Sequence, residues 1–191
     1  MKKNFNLIIK GVGGQGVVTL LSLIGEAAFR EGNEVKSCEI HGLSQRGGSV
    51  EAYLRWGRQI YSPLVSKQEI DFIFALEIFE ALSYLLKTTT SVKFLINDYY
   101  FPFKGSLERE EIIKYFQKFK NKNEIHLIDA SRICREKLGN EVVMPVYLLG
   151  YGISKKIIPL KKESVLRSLP KVIARNYLDL NIKAFNLGFY D

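Results

Sequence analysis

Asn6-Leu7-Ile8-Ile9-Lys10 runs directly into Gly11-Val12-Gly13-Gly14-Gln15-Gly16, and then into an apolar segment that begins Val17-Val18-Thr19-Leu20-Leu21 and continues to Ala28. The first five residues read as a strand, and Val17, Val18, Leu20, Leu21, Leu23, Ile24, Ala27 and Ala28 read as a helix buried on more than one side. Between them Gly11, Gly13 and Gly16 stand at the spacing Gly-x-Gly-x-x-Gly. Glycines there serve a tight reversal, close backbone approach to a pyrophosphate, and close packing of helix on strand. The helix N-terminus adds unpaired N–H groups and a partial positive charge, so the stretch is a candidate site for a phosphorylated ligand. The alternative is a tight turn with no ligand. An ATPase phosphate loop is excluded, because Val17 and Val18 occupy the positions where that loop needs Lys and Ser or Thr.

Outward from this turn, Gly32-Asn33 ends the helix and Glu34 to Ile40 forms a second strand. Strand, crossover helix and strand make a right-handed βαβ unit of doubly wound type. The loop His41-Gly42-Leu43-Ser44-Gln45-Arg46-Gly47-Gly48 then leads into an alternating strand, Ser49 to Trp56. So short a loop rules out parallel neighbours, so the second and third strands form a hairpin or span the sheet edge, and a mixed sheet is predicted. Ile60 to Ser66 reads as irregular, Ile70 to Leu76 as a buried strand, Ile78 to about Lys87 as a helix, and Val92 to Ile96 as a further strand. A helix capped by Ser106 carries Ile112, Ile113, Phe116 and Phe119; Ile125 to Asp129 is the last strand, and Ala130 to Leu138 a short helix. Helix is also predicted for Glu141 to Ser154, Lys161 to Leu169 and Lys171 to about Tyr177. Asn181 to Phe189 is too apolar for a free tail and is expected to dock on the core or a partner. The fold class is therefore α/β, a Rossmann-like three-layer sandwich with a mainly parallel, mixed sheet and a helical C-terminal region, in one domain spanning the 191 residues.

Ligands of open α/β sheets bind beyond the carboxyl ends of the strands. The glycine turn and the 41–48 loop follow strands one and two, so both are expected at one edge. The candidate binding residues are Gly11, Gly13, Gly14, Gln15, Gly16, Ser44, Gln45, Arg46, Gly47 and Gly48. Arg46 offers paired donors to a phosphate; the competing reading is a hairpin turn with a solvated arginine. Glu39 sits roughly where dinucleotide sites hold a ribose, yet no Tyr-Lys, His or Cys constellation for hydride chemistry accompanies it.

Cys38 and Cys134 are far apart and outside any CxxC pattern, and with only His41 and His126 beside them they frame neither zinc nor an iron–sulfur cluster. Both cysteines are expected to be buried small hydrophobes, and His126 to be structural. A formal charge of +8 favours anionic partners without choosing among them, and much of it is scattered over lysines such as Lys114, Lys118, Lys155 and Lys161. No RNA-recognition or helix-turn-helix signature, membrane span or apolar signal core is present, so neither nucleic acid nor membrane is an expected partner and the cytoplasm is the expected location.

The GVGGQG turn, the segment Glu39-Ile40-His41-Gly42-Leu43-Ser44-Gln45-Arg46-Gly47-Gly48-Ser49-Val50 and the terminal Asn181-Ile182-Lys183-Ala184-Phe185-Asn186-Leu187-Gly188 together resemble the gamma subunit or domain of 2-oxoacid:ferredoxin oxidoreductases. The likeness is greatest to the small beta subunit of the indolepyruvate-using members, and it covers nearly the whole chain. The resemblance implies a part in the oxidative decarboxylation of a 2-oxoacid with coenzyme A, giving an acyl-CoA, carbon dioxide and reduced ferredoxin. It implies a large partner subunit holding thiamine diphosphate and iron–sulfur clusters, and ferredoxin reached through the complex. This chain would be inactive alone and contribute no catalytic residue or metal ligand. Coenzyme A carries a pyrophosphate that the glycine turn and Arg46 suit; the rival use of both loops is docking, with Gln15, Ser44 and Gln45 bonding to the large subunit. Phe185, Leu187 and Phe189, and the group Tyr99, Tyr100, Phe101 and Phe103, are candidates for that contact or for a homodimer of the isolated chain, with core packing as their alternative use. A stand-alone protein binding NAD or coenzyme A is the alternative to the subunit.

Overall fold

The computed structural model describes residues 4–41, 47–87, 91–103 and 105–191. Its centre is β1 (Phe5–Val12), buried along nearly all its length because its residues alternate between two apolar layers. Leu7 and Ile9 face one core, and Ile8 faces the other. The helix α1 (Val17–Arg30) follows, then β2 (Glu34–His41), β3 (Ser49–Gly57) and β4 (Phe72–Ala75). Next come α2 (Ile78–Leu85), β5 (Lys93–Asn97), α3 (Arg109–Phe119), β6 (Glu124–Ile128) and α4 (Ala130–Leu138). After a 3-10 turn at Glu141–Val143 the chain closes with α5 (Met144–Ser154), α6 (Lys162–Val172) and α7 (Arg175–Tyr190).

The six strands form one mixed sheet in the order β2-β3-β1-β4-β5-β6. β3 is antiparallel to both its neighbours, and the pairs β1–β4, β4–β5 and β5–β6 are parallel. The expected hairpin is thus present, but the βαβ reading needs correction. β1 and β2 do run parallel, yet β3 inserts between them, pairing Ile9 with Ala52 on one side and Ala52 with Glu39 on the other. Only seven residues separate β2 from β3, too few for a crossover helix, so β3 takes the place beside β1 and β2 becomes the sheet edge.

Helices cover both faces, as the three-layer expectation requires. α1, α5 and α6 bury Leu20, Leu148 and Leu169 against Leu7, Ile9 and Leu54. On the other face α2 and α3 bring Leu82, Ile112 and Phe116 onto Ile8, Ile73 and Phe94. At the carboxyl edge the fully buried Asn97 joins three elements: its side-chain amide donates to the Leu76 carbonyl (3.2 Å) and Ser131 Oγ (2.9 Å), and its oxygen accepts from Ser131 N (3.2 Å).

Several boundaries differ from the sequence reading. α3 starts at Arg109, not after Ser106; Glu108 is its N-cap, and the Glu111 carboxylate reaches back to the Glu108 N–H at 3.2 Å. Ser106 Oγ instead lies 3.0 Å from the Tyr100 hydroxyl. α5 begins only at Met144, because Pro145 lacks an N–H and is suited to the first turn. The helix expected from Lys171 to Tyr177 is split: Lys171 and Val172 end α6, Ile173 and Ala174 are extended, and α7 runs from Arg175 to Tyr190. The apolar end docks on the core, as expected, and does so as a helix. It packs against α5 at two glycines: a Cβ on Gly150 would stand 2.2 Å from the Phe185 carbonyl oxygen, and one on Gly188 1.9 Å from that of Tyr147.

Candidate functional site

The glycine turn is built by three distinct demands. Gly14 and Gly16 have φ of 101° and 87°, a region that side chains avoid. Gly11 is needed for space, since a Cβ there would meet Val17 Cγ2 at 2.9 Å and Leu76 Cβ at 3.2 Å. Gln15 closes the turn on itself: its Oε1 accepts the Val12 N–H (2.8 Å) while its own N–H donates to the Val12 carbonyl (3.1 Å). Its side-chain oxygen is thus engaged inside the loop. α1 begins at Gly16 with no side-chain cap and no acidic residue in its first turn. A helix start of that kind offers its first N–H groups and its dipole to an anion.

The second loop meets the first as expected. Gly13 N–H donates to the Gly48 carbonyl at 2.9 Å, joining the turn to the residue before β3. Gly47, with φ 70°, and Gly48 are thereby placed at the same edge as Gly11 to Gly16. Ser44, Gln45 and Arg46 lie outside the described residues, as does the side chain of His41.

A cleft of about 510 Å³ opens in front of the turn. One wall is Gly14, Gln15, Gly16 and Thr19; the other comes from Asn140 to Val146 and from Val172, Ile173, Tyr177, Leu180 and Asn181. Tyr99 and Ser131 complete it. The lining is polar at the turn and largely apolar opposite, a combination suited to an anion carrying a less polar arm. The far wall went unnoticed in the sequence because it comes from the 3-10 turn and start of α5, the end of α6 and the first half of α7, more than a hundred residues from the glycine turn.

Beneath the same edge lies a charged cluster that no motif announced. Lys10, only 6% exposed, places its Nζ 2.8 Å from Ser49 Oγ, 3.2 Å from a Glu51 oxygen and 2.9 Å from a Glu80 oxygen. Ser49 Oγ in turn donates to Glu80 at 2.7 Å. The hydroxyls of Tyr53 and Tyr84 donate to the other Glu51 oxygen and lie 3.1 Å from one another. Burial pushes the Glu51 carboxyl up, but Tyr53, Tyr84 and Lys10 outweigh it and hold the group below the ordinary carboxylate value. Burial and the Glu51 charge raise both phenols. The alternation of β3 foreshadowed a polar face at Ser49, Glu51 and Tyr53, but only pairing with β1 brings Lys10 opposite Glu51.

Glu77, 1% exposed, caps α2 by accepting from Glu80 N (2.8 Å) and also accepts from Phe101 N (3.2 Å). Burial pushes its carboxyl up to about 7, against those two N–H donors. Phe101 and Phe103 remain 44% and 51% exposed, with Phe103 edge-on to Phe79 at 4.9 Å. The tail aromatics are used differently: Phe185 is fully buried, and Leu187 and Phe189 pack on the main core.

Glu39 lies on the outermost strand, with β3 between it and β1, so the carboxylate is one strand removed from the place a dinucleotide ribose would require. Cys134 is buried, which raises its thiol to about 12, whereas Cys38 is half-buried on the edge strand rather than buried, and burial raises it too. His126 lies 3.0 Å from Glu124 and 3.5 Å from the Tyr151 hydroxyl, in keeping with a structural role. Among the described residues no group of three or more His, Cys, Asp or Glu is placed to hold a metal ion, and no helix is long and apolar enough to cross a membrane.

The model of the family described as pyruvate ferredoxin/flavodoxin oxidoreductase matches residues 6–190. Indolepyruvate oxidoreductase subunit IorB of Thermococcus kodakarensis is 32% identical, over 97% of this chain and 95% of that protein. The pyruvate/ketoisovalerate oxidoreductases common subunit gamma of Pyrococcus abyssi is 28% identical, over 94% of this chain and 92% of that one. The crystal structure of pyruvate oxidoreductase subunit PORC from Thermotoga maritima superposes with a TM-score of 0.75 at 18% identity, over 99% of this chain and 97% of its own, and shares the fold. With the family model spanning the glycine turn, the Gly47-Gly48 loop and the C-terminal helices together, the chain belongs to the pyruvate ferredoxin/flavodoxin oxidoreductase family, as a small subunit of the gamma and IorB kind.

Proposed function

We propose that this chain is the small subunit of an indolepyruvate, or other aryl pyruvate, ferredoxin oxidoreductase. It supports the conversion of the 2-oxoacid and coenzyme A to an acyl-CoA, carbon dioxide and reduced ferredoxin. The observation that carries the reading is the 32% identity to an indolepyruvate subunit over 97% of this chain and 95% of that protein. The chain's own donors do not suit an iron–sulfur cluster: its two cysteines sit on the edge strand β2 and inside α4. Thiamine diphosphate would supply carbanion chemistry and clusters would carry electrons, both in a large partner.

This chain's contribution is the ligand edge. Coenzyme A combines a pyrophosphate with a long, less polar pantetheine arm. The N-terminus of α1 and the turn at Gly14 to Gly16 suit the pyrophosphate, with Arg46 from the neighbouring loop as its counterion, and the apolar far wall of the cleft suits the arm. Phe101 and Phe103, exposed beyond the carboxyl end of β5, are the surface we assign to the large subunit.

The first test is recovery of the tagged chain from anaerobic extract of its own cells, with the eluate analysed for a large iron- and thiamine-containing partner and assayed on aryl pyruvates, pyruvate and branched-chain oxoacids. Turnover fastest with aryl pyruvates supports the reading; recovery without such a partner refutes it. In the assembled complex Arg46→Ala is expected to raise the coenzyme A requirement, and an unchanged requirement counts against Arg46 as counterion.

A further inference from the structure

Lys10, Ser49 and Glu80 come from three different elements, β1, β3 and the first turn of α2, and meet at one point. Ser49 Oγ accepts from Lys10 (2.8 Å) and donates to Glu80 (2.7 Å), so the hydroxyl is held from both sides. One residue earlier, the Gly48 carbonyl receives the Gly13 N–H at 2.9 Å. Whatever fixes Ser49 therefore fixes the acceptor to which the glycine turn is attached. Glu51 keeps Lys10 in place and is itself held by Tyr53 and Tyr84.

Stability alone gives little reason for such a cluster. Replacing a buried ion pair by well-packed apolar residues is often neutral or stabilising, whereas directional bonds set geometry. The charge count leads the same way. Lys10 faces two carboxylates, Glu51 and Glu80, at the edge where an anion is to bind. Without its ammonium those carboxylates would oppose the ligand.

We propose that Lys10, Ser49 and Glu80 form a clamp that sets the Gly13–Gly48 spacing, which makes Ser49 and Lys10 positioning residues for the anionic ligand of the glycine turn. The inference rests on the reading of that turn as the coenzyme A pyrophosphate site. Ser49→Ala removes the link and leaves the Lys10 ion pairs intact, so it separates positioning from folding. In the complex purified with its large subunit, Ser49→Ala is expected to raise the KM for coenzyme A about five- to tenfold, the scale of one ordinary hydrogen bond. kcat and the KM for the 2-oxoacid should stay within about twofold of the unmodified complex. Ser49→Thr, which keeps the hydroxyl, should restore the KM.

Gly14→Val tests the underlying reading, since a side chain there enters the cleft at a φ of 101°. If Gly14→Val leaves the coenzyme A KM unchanged, the site reading fails and the clamp's role fails with it. If Gly14→Val raises the KM but Ser49→Ala does not, the clamp alone is refuted. Should Ser49→Ala fail to assemble with the large subunit, amide hydrogen exchange of the isolated full chain decides. Faster exchange at Gly13, reversed by Ser49→Thr, supports the clamp, and unchanged protection overturns it.

Discussion

Gly188→Ala adds one methyl group at the crossing of α5 and α7, where the two backbones touch. The new Cβ would stand 1.9 Å from the Tyr147 carbonyl oxygen, 2.8 Å from its carbonyl carbon and 3.2 Å from its Cα. Carbon and oxygen rest at roughly 3.3 Å, so the helices must part by about 1.4 Å at this point. The obstacle is backbone inside a helix, which cannot rotate aside. Overpacking costs typically about 1–3 kcal/mol, and a backbone obstacle places this case at about 3. Alanine's better helix propensity returns about 1 kcal/mol, leaving a net loss of about 2 kcal/mol. Urea denaturation followed by far-UV circular dichroism is expected to show a midpoint lower by about 1 M at unchanged slope, and thermal unfolding a midpoint lower by about 4–8 °C. Gly25→Ala in α1 is the internal control. There the nearest atoms, Leu54 Cδ1 and Val35 Cγ1, lie at ordinary contact distances of 3.6 and 3.7 Å. The same mutation should therefore gain about 0.5–1 kcal/mol. A Gly188→Ala midpoint equal to or above that of the unmodified protein, with Gly25→Ala raised as expected, would refute the close-crossing account. The crossing also bears on the site, because α5 supplies Met144, Pro145 and Val146 to the cleft and α7 supplies Tyr177, Leu180 and Asn181. Separating the helices is thus expected to weaken ligand binding as well as stability.

Lys156 has φ 57° just beyond α5, so Lys156→Gly should raise the unfolding midpoint by the equivalent of about 1 kcal/mol in a urea titration. Asn97→Ala should cost about 2–3 kcal/mol by the same measurement, because it leaves the Leu76 carbonyl and both Ser131 groups without their buried partner. Glu77 gives a pH signature. Its folded-state pKa of about 7 lies above the ordinary carboxylate value of 4.5, so its contribution is fully present below pH 4.5 and is lost as pH rises through 7. Stability measured across that window should fall by up to about 3 kcal/mol more in the unmodified protein than in Glu77→Gln; parallel curves would show that the two N–H donors outweigh burial.

The site was legible where chemistry is local. A strand, a glycine turn and a helix can be read from consecutive residues because their causes are local: alternating burial, left-handed backbone at Gly14 and Gly16, and apolar positions at helical spacing. Convergence of the two loops was legible as well, since both follow strands that run the same way. The roles of individual residues were less so. Gln15 read as a residue for a ligand or for an interface, and only the structure shows that its oxygen is taken by the Val12 N–H within the turn. Glu39 stood at a plausible sequence distance for a ribose carboxylate, yet strand order removes it from β1.

By itself the sequence determined the α/β class, the mixed sheet, the glycine turn and the family, each of which depends on residue type and spacing along one stretch. Only the tertiary structure decided that β3 lies between β1 and β2 and that Lys10 meets Ser49, Glu51 and Glu80. It alone decided that the far wall of the cleft comes from the C-terminal helices, drawn together by backbone contact at Gly150 and Gly188. The physical reason is common to all three. Strand order, ion pairing between elements and helix crossing are set by competition among distant segments for the same buried surface, and no local pattern records who wins it.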